Sequence, residues 1–171
     1  MSRIIGMEIS PLTISLRARI VPIASTMLAS MLTLVPVVAT APVMPPTGLL
    51  MLLGWRLLRP EIWPVWAALP LGLWDDLFSG QPIGSAMLTW TICFIAIDQA
   101  DRWLVWRDYG QDWAIAAGAI TFCLAVGFLI ALFTGGGGYI QIIVPQILAS
   151  ILFFPVFARG CAMLDHWRLM R

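Results

Sequence analysis

The chain has 171 residues, of which 60% are hydrophobic and only 11% charged, with a mean hydropathy of +0.90. A soluble domain carries about 25% charged residues, and a soluble core of this length could not hide so much apolar surface, so lipid is the expected solvent. The net charge of +1 offers no global field for nucleic acid, and the length suits one membrane domain over 1–171 rather than a membrane part plus a soluble one.

Residues 1–19 are polar and carry Arg3, Glu8, Arg17 and Arg19, which reads as a cytoplasmic N-terminal segment. The apolar run 20–41 follows. It is too long for a signal-peptide core of about 7–15 residues and long enough to span a bilayer, so it is expected to be a retained first helix. "PVMPP" at 42–46 breaks the chain. The second run, 47–58, has Arg56 near its end and Arg59 just beyond it, and the third, 62–78, contains Pro64 and Pro70. Twelve residues cover roughly 18 Å at 1.5 Å each, short of a hydrocarbon core of about 30 Å. The second and third helices are therefore expected to be short, and to tilt, extend through their flanks or form a re-entrant pair. The run 83–97 comes next, then a charged loop over 98–112. Within that loop Trp103, Leu104 and Trp106, interleaved with Arg102, Arg107 and Asp108, suit a short interfacial helix. A clean span at 113–134, a glycine turn at 135–138 and a last span at 139–164 complete the chain, with 165–171 as a tail. The expected fold is all-α: a polytopic transmembrane bundle of about six spans.

The arginines test that layout. All ten basic residues are arginine, and with six spans every one falls on the side of the termini and of the loops at 55–61 and 98–112. The opposite loops, 42–46, 79–82 and 135–138, carry no charge. Short loops rich in arginine stay inside, so both termini are expected in the cytoplasm. Trp55, Trp63, Trp103, Trp106, Trp113 and Trp167 gather near the same boundaries and read as an interfacial anchoring belt.

Catalytic chemistry is hard to find. Cys93, Cys123 and Cys161 show no metal-binding or CxxC spacing and read as small apolar core residues. Gly135 to Gly138 lacks the Lys-Ser/Thr that a phosphate loop requires and reads as a flexible hairpin. His166, the single histidine, sits in a charged tail without a partner at ligand spacing. No nucleophile, base or metal set is recognisable, so neither an enzyme nor a cofactor is expected.

Two adjacent acids, Asp75 and Asp76, stand out inside "LPLGLWDDLFSGQPIGSAMLTW" at 69–90. An intramembrane carboxylate is costly and by default a functional candidate. Three roles are open for the pair: a cap folded back across the turn onto the free N–H groups of the next helix, a contact for a partner or ligand, and simple exposure at the lipid interface. Pro82 suits the first turn of that next helix. Gly72, Asp76, Gly80 and Gly84 recur every four residues, so Gly72 and Asp76 share a helix face, Gly80 permits a tight turn, and Gly84 lets the returning helix approach. The pattern describes a polar-locked, close-packed hairpin. Asp76 is expected to be buried against the donors near Gly84 and Ser85. Asp75, rotated by about 100°, is expected to reach the outer interface or solvent, where its loss would be close to neutral.

These residues, "GLWDDLFSGQPIGS", resemble the glycine–aspartate–glycine–glycine hairpin of the MreD family of bacterial rod shape-determining membrane proteins. Asp76 matches the family aspartate and Asp75 is an addition. The resemblance implies a non-catalytic scaffold of the cell-elongation machinery in the inner membrane, required for rod shape and organised peptidoglycan synthesis. It implies an MreC-like bitopic partner and, through it, MreB, RodA and a class B penicillin-binding transpeptidase, with membrane lipid around it. The layout is similar, more distantly, to the substrate-binding subunits of energy-coupling-factor vitamin transporters, so a small-molecule binding or transport subunit is the alternative. A transport subunit would need a polar cavity open to the outside, whereas the outer loops here are short and almost featureless.

Overall fold

The computed structural model describes residues 11–34, 44–103, 108–135 and 140–169. Among them the architecture is all-helical, with six α-helices: α1 (Pro11–Met31), α2 (Thr47–Leu58), α3 (Ala68–Ser79), α4 (Ser85–Trp103), α5 (Tyr109–Phe133) and α6 (Ile140–Leu169). α3 packs most extensively on α4, α1 lies against α2 and α3, and α6 lies against α2 and α5.

α2 is the centre of the bundle. Eleven of its twelve residues are buried, and it touches α1, α5 and α6. A helix that is apolar all round is a buried helix. The N-terminal end of α2 is tied to α1 by the Thr47 hydroxyl, which donates to the Ala29 carbonyl at 2.6 Å. Trp55, expected in an anchoring belt, is instead fully buried and donates its indole N–H to Ser25 Oγ at 2.8 Å. Trp63 is buried as well, edge-on to Phe94 at 6.4 Å between centroids. Trp103, Trp113 and Trp167 are exposed, as an interfacial belt requires. Trp106 lies outside the described residues.

α3 is shorter than the run 62–78 suggested. It is preceded by 3₁₀ turns at Pro60–Ile62 and Val65–Ala67. Proline disfavours the α conformation in the residue before it, and Trp63, before Pro64, is extended at φ −108°, ψ 94°. The regular helix therefore waits until Ala68, and Pro70 falls in its first turn, where a missing N–H is harmless. α1 begins earlier than expected, with Pro11 at its first position, where the fixed φ of proline is favourable. α4 continues to Trp103 and α6 to Leu169, so much of the sequence read as charged loop and tail is helical. Leu104, Trp106 and Arg107 of the expected interfacial helix, and most of the glycine turn, lie outside the described residues.

The outer helices are apolar on both faces. α5 buries a single stripe, Ala116, Ala119, Ile120, Cys123 and Leu124, at the i, i+3, i+4 spacing of one helix face. Phe122, Leu129, Leu132 and Phe133 lie exposed around it. On α6 Leu148, Leu152, Phe153, Val156 and Met163 are exposed likewise. Water would penalise so much exposed apolar surface, whereas lipid does not. Among the described residues α5 and α6 are also the two helices long and apolar enough to cross a membrane by themselves.

Candidate functional site

The hairpin of α3 and α4 is built around one carboxylate. An α-helix starts with four N–H groups that have no partner in the helix. At α4 these groups meet Asp76, which projects from α3 and is only 2% exposed. Asp76 Oδ2 accepts from Gly84 N–H at 2.8 Å and from Met87 N–H at 3.3 Å. Its Oδ1 accepts from Ala86 N–H at 2.8 Å and from the Ser85 hydroxyl at 3.0 Å. One side chain thus caps the neighbouring helix with both oxygens, and its negative charge sits at the positive end of the α4 dipole.

The glycines make that geometry possible in different ways. α3 ends at Gly80 in the left-handed conformation, φ +69°, where a residue without Cβ is favoured. Pro82 sits in the connecting turn and its carbonyl accepts from Ser85 N–H at 3.0 Å, so it precedes α4 rather than opening it. Gly84 has φ +99° and nothing near its missing Cβ. Its contribution is a backbone conformation that only glycine adopts easily, not the close approach expected from sequence. The close approach is at Gly72: a Cβ there would lie 2.6 Å from Met87 Cα and 2.7 Å from Met87 N. Gly72→Ala is therefore expected to push α3 off α4 and cost about 1–3 kcal/mol, as overpacking does, read as a lower melting midpoint of the purified protein in detergent.

Asp75 departs from expectation. It is buried, at 8% exposure, not directed to the interface or solvent. It faces α1 and α2: a Cβ built at Gly48 would meet Ser30 Oγ and, at 2.6 Å, Asp75 Oδ1. Gly48 thus leaves the space in which the α1 hydroxyl and the α3 carboxylate converge. The two aspartates point to opposite partners, Asp76 to α4 and Asp75 to the α1–α2 pair, because neighbours on a helix are rotated by about 100°.

At the other end of the bundle the structure reveals a charged cluster that sequence reasoning missed. Arg56 of α2 has a side chain only 3% exposed. It pairs with Asp101 at 3.1 Å and lies 3.8 Å from Asp98, both on α4. Its guanidinium carbon also stands 5.8 Å from the centre of the Phe94 ring, within cation–π range. Asp98 in turn accepts from Arg102 at 2.9 Å. Arg59, half-exposed, pairs with Asp165 of α6 at 3.0 Å. The C-terminal ends of α2, α4 and α6 are thereby joined at one end. The available signals were an arginine inside an apolar run and the 98, 101, 102 spacing, which places those groups along one side of a helix.

Among the described residues no group of His, Cys, Asp and Glu could hold a metal ion. A hollow of about 690 Å³ lies between α1 and the 60–74 segment, and apart from Glu61 and the indole N–H groups its lining is apolar. No curated protein and no solved structure matches the chain. Residues 14–159 match the family model described as rod shape-determining protein MreD. The match runs from the first helix into the last and contains the Asp76 hairpin and Arg56 with its partners Asp98 and Asp101, and on it the chain belongs to the MreD family.

Proposed function

We propose that this protein is a non-catalytic scaffold of the cell-elongation machinery, holding an MreC-like bitopic protein in the inner membrane and, through it, MreB, RodA and a class B penicillin-binding transpeptidase. Family membership makes it a rod shape-determining membrane protein. The observation that carries the scaffold reading is how the polar groups in the bundle are used. Asp76 caps α4, Arg56 ties α2 to α4, and Arg59 ties α2 to α6. Each holds helix to helix.

The protein is read as six passes with both termini in the cytoplasm. The clustering of the α2, α4 and α6 C-termini at one end agrees with alternating passes, and the one-sided arginines give the orientation. Pulled from membranes of its rod-shaped host under mild detergent, the tagged protein is expected to bring down the MreC-like partner, with tags at Met1 and Arg171 both reporting cytoplasm. Recovery without that partner, or termini on opposite sides, would sink this reading.

A further inference from the structure

Cys93 of α4 and Cys123 of α5 face each other inside the bundle. Their sulfurs are 3.4 Å apart, both residues are buried, and both are free thiols. Cys93 also approaches the Ala119 carbonyl at 3.8 Å, one turn before Cys123. Three residues of the α5 stripe, Ala116, Ala119 and Cys123, are small, which lets the two helices run close together. A hollow of about 360 Å³, lined by Cys93, Ala96, Gly118, Ala119 and Phe122, opens beside the pair. Cys93 can therefore be reached by a small uncharged reagent that enters this hollow, while Cys123 can be reached from Cys93.

We propose that Cys93 and Cys123 are an oxidisable dithiol, a modification site that closes to a disulfide and staples α4 to α5. Closing the contact to the bond length of about 2.05 Å needs a shift of a little over 1 Å, shared by two side chains that already touch. The oxidant is a membrane-permeant two-electron acceptor of the azo class, of which diamide is the usable example. The Cys93 sulfur adds to one nitrogen of the N=N bond and its proton goes to the other. The Cys123 sulfur then attacks the Cys93 sulfur, the S–S bond forms, the S–N bond breaks, and the departing nitrogen takes the second proton. Two thiols lose two electrons and two protons, and the azo group becomes a hydrazine. Cys161 takes no part. It packs beneath Gly54 and against Met51 on the α2–α6 side, which makes it an internal control.

The experiment uses the full-length protein in membranes. Diamide is added and quenched, then the protein is unfolded, all remaining thiols are capped with N-ethylmaleimide, and the intact mass is measured. Untreated protein should take three labels, one for each cysteine. Oxidised wild type should take one, on Cys161, and oxidised Cys161→Ser should take none, both as monomers. Cys93→Ser and Cys123→Ser should each keep two labels after oxidation. Three labels on oxidised wild type, a linked peptide that contains Cys161, a covalent dimer, or a bond that forms only when diamide is added after unfolding would each overturn the assignment. Wild type and Cys161→Ser suffice to decide the pairing even if the other variants fold poorly.

Discussion

Asp76→Ala is expected to be the most damaging single substitution in the hairpin. It removes both oxygens at once and leaves the N–H groups of Gly84, Ala86 and Met87 without their acceptor, while the Ser85 hydroxyl keeps only Gln81 Oε1 at 3.2 Å. The site is buried, so water cannot fully replace the carboxylate. Each buried donor left unpaired costs about 1–3 kcal/mol, and loss of a cap alone costs about 1 kcal/mol. Partial relaxation brings the sum to at least roughly 3 kcal/mol, a large share of the stability of a small protein. The expected result is a strongly reduced level in the membrane and an early melting midpoint. Asp76→Asn keeps one acceptor oxygen but loses the charge at the helix end, so it should fall between alanine and wild type. If Asp76→Ala melts like wild type, the carboxylate does not lock the hairpin. If it melts like wild type and yet loses the partner in a pull-down, Asp76 is a contact instead.

Arg56→Met is expected to be nearly as severe, at the opposite end. Methionine keeps most of the apolar stem and deletes the charge. Asp101 and Asp98 then lose their α2 partner in a partly buried setting. Breaking a buried pair from one side costs about 3–5 kcal/mol. Asp98 and Asp101 retain 40% and 21% side-chain exposure, which places this case near about 3 kcal/mol. Adding Asp101→Asn to Arg56→Met should return part of the loss, because it removes a carboxylate charge that Arg56 no longer offsets. Arg59→Ala makes the contrast. The Arg59 side chain is 44% exposed and only its partner Asp165, at 9%, is buried, so the loss should be about 1–2 kcal/mol, between an exposed pair and a buried one. Melting midpoints of these variants in one detergent decide the matter: equal losses for Arg56→Met and Arg59→Ala would show that burial does not set the strength of this cluster.

The sequence made local features legible and left contacts between distant segments hidden. Asp76 could be placed because everything it needs lies within eleven residues: the four-residue spacing, the turn glycine and the N-terminus of the next helix. α2 could be bounded because Pro46 stops it on one side and Arg59 with Pro60 on the other. The start of α3 was missed although Pro64 was visible, since an apolar run continues through the turns that precede the helix. The burial of Asp75 was not readable, because it comes from Ser30 and Gly48 on two other helices. Arg56 was hidden for a similar reason. An arginine near the end of an apolar run looks like a topology signal, and only the fold brings Asp98 and Asp101 to it. Trp55 was misread by the same logic, as every tryptophan near a boundary resembles an anchor until a partner such as Ser25 is found.

Two ends of one bundle are thus held by charge, and the helices between are held by apolar packing and close glycine contact. A frame of this kind suits a part whose task is to stay in one shape while other proteins act on it. The most direct measurement is the ratio of cell length to width after clean deletion in the rod-shaped host, with wild type, Asp76→Ala and an empty vector returned separately. Deletion should give round or swollen cells, restored to rods by wild type and not by Asp76→Ala. Rods of unaltered proportions after deletion, with cell-wall insertion undisturbed, would contradict the scaffold reading outright.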